Sequence, residues 1–508
     1  MTERYSFPSV RRDGLTLILG LGETGVAAAR WCAAHGASLR VLDTRVQPAG
    51  LEALKAAQIS ADLHLGPDAL VSGALDGVHT LVLSPGLNPR RAPVSDLLAA
   101  AHERGIEVLG EIELFARALS DLRPQGYAPL VAAVTGTNGK TTVTSLTRHL
   151  VEACGRRVRA AGNISPAALS SLQDALAHDD LPEVWVLELS SFQLESTTTL
   201  APDVAVVLNL TQDHLDWHGS MQAYAAAKAR LLRMARVAVV NRDDAWVRAM
   251  VDDLAADQVR SFGGDAPVLA DDLGLHVQQG LTWLARAQPS EPEAVASPHA
   301  RRKPADVVHR APGRLQLLMP ADALQIRGRH NALNALAALS LGATLDLPWA
   351  PMLHALREYR GEAHRTELIR TVAGVDFIDD SKGTNVGATL AALQGQGRPV
   401  VLIAGGLGKG QDFSPLAAAV HDHARAVLLI GEDGPRIAAA LADTGVALES
   451  CGTLEQAVER GMALAQPGDA VMLSPACASM DMFRNYAHRS ACFVAAVREM
   501  AIERGEVA

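Results

Sequence analysis

Eight residues, Thr135-Gly-Thr-Asn-Gly-Lys-Thr-Thr142, combine what a triphosphate requires. Glycines let a backbone come close to a ligand. Lys140 can reach terminal phosphates, and the Thr141 hydroxyl can hold Mg2+. The flanking residues put this turn where the chemistry needs it. Leu130 to Val134 is an apolar, partly β-branched run that predicts a buried parallel strand. From Lys140 the apolar spacing Val143, Leu146, Leu150 and Val151 predicts a helix, with Gly155 as its stop. A strand, a turn and a helix start form a cradle of backbone N–H groups for anions. Gly136, Thr137, Asn138, Gly139, Lys140, Thr141 and Thr142 are therefore the expected phosphate-binding residues. The general pattern wants a glycine where Val134 stands, so this loop is a variant. The plain alternative is an ordinary turn with a surface lysine.

Two further strand ends should lie beside this cradle. Val184 to Leu187 leads into Glu188, and Val204 to Leu208 leads into Asn209-Leu-Thr-Gln-Asp213-His214. In a parallel sheet these ends place Glu188, Asp213 and His214 near the terminal phosphate. A carboxylate and one neutral imidazole suit Mg2+; a capping or loop histidine is the alternative for His214. Lys228 lies in a helical stretch, Tyr224 to Leu232, and among alanines reads on pattern alone as a solvated lysine. Gly328-Arg-His-Asn331-Ala-Leu-Asn334 opens another helix, running to about Leu341. Asn331 and Asn334 share one face and can either read the edge of a base or cap the helix start.

Elements on both sides repeat the scheme. Leu15 to Leu19, Gly20-Leu-Gly22-Glu-Thr24-Gly25 and a helix to Ala34 precede a second strand, Leu39 to Leu42, ending in Asp43-Thr44-Arg45. This is the dinucleotide fingerprint, yet the turn would serve any phosphate-bearing nucleotide, and Arg45 suits an anionic ligand better than a ribose hydroxyl. A third strand, Thr80 to Leu83, ends in Ser84-Pro85-Gly86. Towards the other terminus, Val375 to Ile378, Val400 to Ala404, Val427 to Ile430 and Ala470 to Leu473 read as strands with polar ends. Those ends carry Lys382, Thr384, Lys409 and Ser479, cations and hydroxyls that suit a small dicarboxylate. Taken singly, each could be an ordinary loop residue.

The whole chain bounds the reading. At 508 residues it exceeds one core. With 56 acidic against 46 basic side chains the net charge is -10, which argues against nucleic acid or an anionic membrane as the main partner. Five scattered cysteines without C-x-x-C spacing suit a reducing cytosol. No apolar run is long enough to span a bilayer, so a cytoplasmic protein without membrane insertion is expected. The expected fold class is α/β with three domains, each on a largely parallel sheet: residues 1–120 (Rossmann-like), 121–361 (P-loop ATPase-like) and 362–508 (Rossmann-like). Residues 286–312, rich in Pro, Ala and charge, are expected to be a mobile insertion.

The blocks TGTNGKTT, ELSSFQLE, TQDHLD, GRHNALNALAA, DDSKGTN, GGLGKG and SPACASMDMF occur in the order found in the Mur ligases, and the resemblance covers nearly the whole chain outside the insertion. The last block, with GLGETG and DTR, points within that family to the branch that adds D-glutamate to UDP-N-acetylmuramoyl-L-alanine. The chain lacks the Asp-Asn-Pro-Arg motif of the branch that adds meso-diaminopimelate or lysine. Unlike folylpolyglutamate synthetase, it has a full N-terminal Rossmann-like domain.

The resemblance implies an ATP-dependent amide ligase working through an acyl phosphate in peptidoglycan precursor synthesis. It implies ATP and two Mg2+ ions as cofactors (Mn2+ could substitute), two small-molecule substrates, no nucleic acid and a monomer. The N-terminal fingerprint becomes a UDP-precursor site with Thr24, Asp43, Thr44, Arg45 and Gly86, and Asn163 falls near the alanine carboxylate and metal. Lys228 matches a lysine carbamylated by CO2, which reverses its reading as a surface residue. Thr141, Glu188, His214 and the Lys228 carbamate become metal ligands, and Lys140, Glu188, His214 and Lys228 the catalytic set. Asn331, Asn334, Arg365 and Asp380 match adenine, ribose and phosphate contacts; Lys382, Thr384, Lys409, Ser479 and Tyr486 fall where D-glutamate is held. Two positions depart from the family pattern: Gly383 stands where alanine is usual and Tyr486 where phenylalanine is expected. An NAD-dependent oxidoreductase fused to an ATPase, a nucleotide-binding scaffold without chemistry, and a Mur ligase of another amino-acid specificity are the competing readings.

Overall fold

The computed structural model describes residues 5–289 and 310–506, whose strands form three sheets. The first contains β1 (Leu15–Leu19), β2 (Ser38–Asp43), β3 (Asp62–Leu65), β4 (Val78–Leu83) and β5 (Glu107–Leu109), in the order β3-β2-β1-β4-β5 and all parallel. The order reverses between β1 and β4, so their carboxyl ends flank the crevice where open α/β sheets bind ligands. The fingerprint turn is tight because the helix Glu23–Ala34 packs onto β1. A Cβ on Gly25 would stand 2.0 Å from the Gly20 carbonyl oxygen.

The second sheet runs β6 (Leu130–Thr135), β7 (Val158–Gly162), β8 (Val184–Glu188), β9 (Val204–Val207), β10 (Val237–Asn241), β11 (Val259–Gly263), β12 (Leu273–Gln278), β13 (Leu281–Pro289) and β14 (Gly313–Pro320). Its order is β14-β13-β12-β11-β10-β9-β6-β8-β7, with β6 flanked by β8 and β9. The expected strands are present, as continuous apolar runs buried on both faces. The antiparallel β12–β14 extension is not legible as an apolar period. It also corrects the expected insertion. Arg286–Pro289 complete β13, where Arg286 pairs with Gln316, and Arg310 comes back to donate to the Asp272 carboxylate at 2.7 Å, both side chains buried. Cross-strand pairing fixes these residues, whatever their Pro- and Ala-rich composition suggests. Residues 290–309, the rest of that insertion, lie outside the described residues.

The third sheet holds β15 (Glu367–Val372), β16 (Val375–Asp379), β17 (Val400–Gly405), β18 (Ala424–Ile430), β19 (Ala447–Ser450) and β20 (Ala470–Leu473), ordered β15-β16-β20-β17-β18-β19 and parallel apart from the β15–β16 hairpin. Among the described residues no helix is long and apolar enough to cross a membrane. The first two units share a core: Phe115 meets Trp185 edge-on, with ring centroids 5.1 Å apart. Glu111 takes the Leu169 N–H at 2.6 Å, and Glu113 takes those of Thr198 and Thr199 at 2.8 and 2.9 Å. We propose the three-way division 1–120, 121–361 and 362–508, the first cut falling in the last turn of the helix Glu111–Leu122.

Candidate active site

The turn after β6 is held open from outside itself. Gly139 sits at φ +84 as the cap of the helix Lys140–Ala153, with no side-chain hydrogen bond to that helix end. The first helical N–H groups therefore stay available to an anion. Two neighbours decide that these positions must be glycine. A Cβ on Gly139 would meet the Asn334 Oδ1 at 2.7 Å, and one on Gly136 (φ +152) would meet Leu208 at 3.0 Å. Asn209 clasps the loop by accepting the Asn138 N–H at 2.8 Å and donating to the Asn138 carbonyl at 3.0 Å. Thr137 Oγ1 lies 3.2 Å from the Tyr224 hydroxyl and accepts the Thr211 N–H at 3.1 Å.

Two lysines lie against this loop, Lys228 buried and Lys140 half-buried. Lys140 Nζ donates to the carbonyls of Gly136 (3.0 Å) and Thr137 (2.8 Å). Lys228 Nζ donates to the same Gly136 carbonyl at 2.9 Å and lies 4.7 Å from the Tyr224 ring centre. Lys228 is 1% exposed, so the surface reading drawn from its alanine-rich helix is overturned. That helix, Met221–Met234, packs its Lys228 face onto the loop. Burial pushes both ammonium groups below their ordinary range, Lys228 far below, and each also feels a neighbouring cation. Burial thus favours the neutral, nucleophilic form of the Lys228 amine.

Glu188 ends β8 beside them, 2% exposed. Its Oε1 accepts from Asn163 Nδ2 at 2.7 Å, while Oε2 is buried with no partner among the described residues. A buried carboxylate oxygen without a donor, within electrostatic reach of Lys140 and Lys228, fits a hard cation. His214 stands in the left-handed region (φ +54) with Nε2 3.5 Å from Asp213. Burial lowers its pKa below the ordinary histidine value, opposed by Asp213 and aided by Lys409, Lys140 and Lys228. The imidazole is thus neutral at pH 7 and keeps a lone pair to give. Among the described residues, the set of His and acidic side chains whose ligand atoms lie within 4.8 Å of one another is His364, Glu367 and Asp379. None of these was expected to bind metal, and His364 Nδ1 is already engaged by Asp379 (2.9 Å) and Ser490 (2.7 Å).

Next to the loop opens a cavity of about 210 Å³. Its walls include the expected residues Asn138, Gly139, Thr142, Asn331, Asn334, Arg365 and Asp380, with Ile326, Phe262 and Leu208 giving apolar surface. Asn334 donates to Asn331 Oδ1 at 3.1 Å, and Asn331 donates to the Arg327 carbonyl at 2.8 Å. The helix start has no side-chain cap, so the capping alternative for these amides does not hold, and both line the cavity. Arg365 donates to Thr141 Oγ1 at 2.7 Å, and burial lifts Asp380 to about 7 although the Ser474 hydroxyl donates to it at 2.6 Å. Lys382, expected at the amino-acid site, also lines this cavity and lies 3.6 Å from the centre of the Tyr486 ring. The turn bearing Lys409 is joined to the Ser479 segment by the Leu407–Ala478 bridge, and Lys409 acts electrostatically on His214. Thr384 closes the Lys382 turn through its N–H.

In the first unit, Thr24, Asp43, Thr44, Arg45 and Gly86 line one cleft of about 400 Å³ at the β1/β4 switch point. Asp43 is engaged on both oxygens: Oδ1 by Arg45 Nε (2.8 Å) and N–H (2.9 Å), Oδ2 by Arg45 Nη2 (2.7 Å) and Leu21 N–H (2.7 Å). An acid so occupied is poorly placed to take ribose hydroxyls, as the dinucleotide reading needs. Asn163 lies apart from that cleft, on Glu188.

Sequence reasoning missed four braces. Asn385 and Asn138 exchange amide hydrogen bonds at 2.9 and 3.2 Å across the second and third units. The other three are Asn209, Thr211 and Tyr224, which hold the loop at Asn138 and Thr137. The available signal was position: Asn385 ends the Asp379–Asn385 string, and Asn209 and Thr211 begin the one leading to His214.

Comparison with known proteins gives the same order along the chain. Residues 15–110 match the family model of the Mur ligase MurD-like N-terminal domain, 134–342 the Mur ligase middle domain and 364–477 the Mur ligase glutamate ligase domain. The UDP-N-acetylmuramoylalanine–D-glutamate ligase of Bordetella avium is 62% identical, covering 97% of each chain. That of Burkholderia thailandensis is 55% identical, covering 97% of this chain and 99% of its own. Among solved structures, the UDP-N-acetylmuramate-alanine ligase MurC of Thermotoga maritima superposes with a TM-score of 0.56 at 18% identity, covering 96% and 99% of the two chains. MurF of Acinetobacter baumannii gives 0.56 at 16% identity over 94% and 90%. At these identities the two structures speak for the fold.

Gly383 yields a test. A Cβ there would stand 2.6 Å from Asp380 Oδ2 and 2.9 Å from Ser474 Oγ. Gly383→Ala is expected to displace Asp380 from Ser474 and raise the KM for ATP roughly tenfold, about the effect of one hydrogen bond to a charged group. An unchanged KM would show that the turn makes room for the methyl group without moving Asp380, or that Asp380 does not serve the nucleotide.

Proposed function

The chain belongs to the Mur ligase family, and from that premise we infer that it joins D-glutamate to UDP-N-acetylmuramoyl-L-alanine with cleavage of ATP. The observation that carries this reading is the meeting of polar strand ends from the second and third sheets at the Gly136–Thr142 loop. It is supported by near-full-length identity of 55–62% to relatives named for that reaction.

Mur ligases use ATP with Mg2+. Here Glu188, with its partnerless buried Oε2, and Thr141 would hold the cation, joined by His214 and by Lys228 once carbamylated. We propose two ions, with Mn2+ able to substitute. The metal supplies charge neutralisation where phosphate oxygens and the substrate carboxylate meet. The remaining steps fall to the protein's own groups. Thr24, Asp43, Thr44, Arg45 and Gly86 hold the UDP end of the precursor, and Asn163 stands where its alanine carboxylate reaches Glu188. Asn331, Asn334, Arg365 and Asp380 hold the nucleoside, and the N–H groups after Gly139 receive the phosphates. Lys140 swings from the Gly136 and Thr137 carbonyls to the terminal phosphate and offsets its charge. A carboxylate oxygen then attacks the γ-phosphorus and ADP leaves, giving an acyl phosphate. Such phosphoryl transfer needs little beyond positioning and charge stabilisation.

Lys382, Thr384, Lys409, Ser479 and Tyr486 hold D-glutamate, whose amine attacks the acyl carbon. The amide bond forms as phosphate departs, and the proton lost by the amine can leave on the phosphate. Contacts between the second and third units, Asn138 with Asn385 and Arg365 with Thr141, keep water from the acyl phosphate. We propose a cytoplasmic monomer acting in peptidoglycan precursor synthesis.

Phosphate release from ATP in the presence of UDP-N-acetylmuramoyl-L-alanine is expected with D-glutamate and not with L-glutamate, together with a UDP-linked dipeptide by mass. Release with another amino acid would move the chain to a different specificity within the family. Lys228 gives a second test. Burial favours the neutral form of this amine, which is the form that reacts with CO2, and its carbamate would add a second anionic ligand beside Glu188. Lys228→Ala should lose most activity, on the order of 10²-fold or more for a lost metal ligand shell, and recover part of it with formate or acetate. The absence of rescue by any small carboxylate would count against the carbamate.

A further inference from the structure

His214 occupies a backbone conformation that a residue with a side chain adopts only when its surroundings enforce it. The chain continues from it into a single helical turn, Leu215–His218, too short to hold itself. Within the turn, Trp217 and His218 N–H donate to the His214 carbonyl at 3.0 Å, and Gly219 N–H donates to Leu215 at 2.8 Å. The carbonyls of Asp216 and Trp217 remain, as the last carbonyls of any helix do. Both are satisfied from the first unit: Arg91 Nη2 donates to the Asp216 carbonyl at 2.8 Å, and Asn88 Nδ2 to that of Trp217 at 3.4 Å. Arg90 adds an ion pair to Glu195 at 3.1 Å and lies 5.4 Å from the Trp217 ring centre. Asn88 Oδ1 accepts the Arg90 N–H at 2.9 Å, which shapes the loop for all three contacts. This loop directly succeeds Gly86 and Leu87, which line the cleft of the first unit.

We propose that Asn88 and Arg91 are positioning residues that cap the turn behind His214 and carry occupancy of the nucleotide-sugar cleft to the phosphoryl-transfer site. Substrate seated on Gly86 and Leu87 orders the loop, the loop orders the turn, and the turn fixes the direction of the His214 imidazole. The inference rests on the ligase reading, since only there does the first cleft hold the partner of the ATP reaction.

The test uses the full chain with Asn88→Ala/Arg91→Ala and the single variant Arg91→Lys, which keeps one donor. Amide exchange is followed by mass spectrometry over residues 211–222, with and without UDP-N-acetylmuramoyl-L-alanine. In the double variant these amides are expected to exchange roughly tenfold faster while the core strands are unchanged. The precursor should slow their exchange in the wild type and fail to do so in the double variant. Turnover should fall about tenfold with the KM values for ATP and precursor within roughly threefold, and Arg91→Lys should recover part of it. Unchanged exchange in this segment, or a raised precursor KM with turnover intact, would overturn the proposal. The exchange readout needs no turnover, so a failure of the ligase reading would show separately, as phosphate release with no amino acid.

Discussion

Two amines, one buried and one half-buried, share one carbonyl. Lys140 and Lys228 both donate to Gly136, and among the described residues neither forms an ion pair. Bringing two cationic side chains into a dry corner is unfavourable unless the charge is lost or an anion arrives. Burial presses both groups towards the first, lowering their pKa values against the opposing pull of Glu188 and Asp213. In the proposed reaction, nucleotide phosphates and a carbamate on Lys228 would supply the second. The site is therefore complementary to a ligand-loaded state, which is the physical basis for using binding to assemble the reaction centre.

The rest of the architecture serves that corner. β6 delivers the loop, β8 delivers Glu188, and β9 leads to Asp213 and His214, all at carboxyl ends of one sheet. The third unit adds Arg365, Lys382 and Asn385 from outside, and the first unit caps the turn behind His214. Glu111 and Glu113, buried between the first two units, fix these against each other through backbone N–H groups. The contacts among units are polar and few at the site, whereas the first two units also share apolar core. That asymmetry suits a third unit that moves during turnover.

Much of this was legible because the functional strands are continuous apolar runs ending in polar residues. Leu130–Val134, Val184–Leu187 and Val204–Leu208 announce both their strands and the side chains at their ends. The β12–β14 extension was not legible, since its register comes from pairing with distant strands and not from its own period. Lys228 was misread from its helix because alanine neighbours look alike on a solvated face and on a face packed against a loop; the family resemblance corrected what periodicity could not. Contacts such as Asn138 with Asn385 depend on how units meet, and no local pattern records that.

The central claim is that the substrate carboxylate itself attacks ATP. With the alanine carboxylate of UDP-N-acetylmuramoyl-L-alanine labelled with oxygen-18, the inorganic phosphate formed during turnover with D-glutamate can be analysed by mass. One labelled oxygen is expected in each phosphate, carried over when the acyl phosphate collapses. Unlabelled phosphate would mean that water or the amine met the γ-phosphorus, and would contradict the acyl-phosphate route.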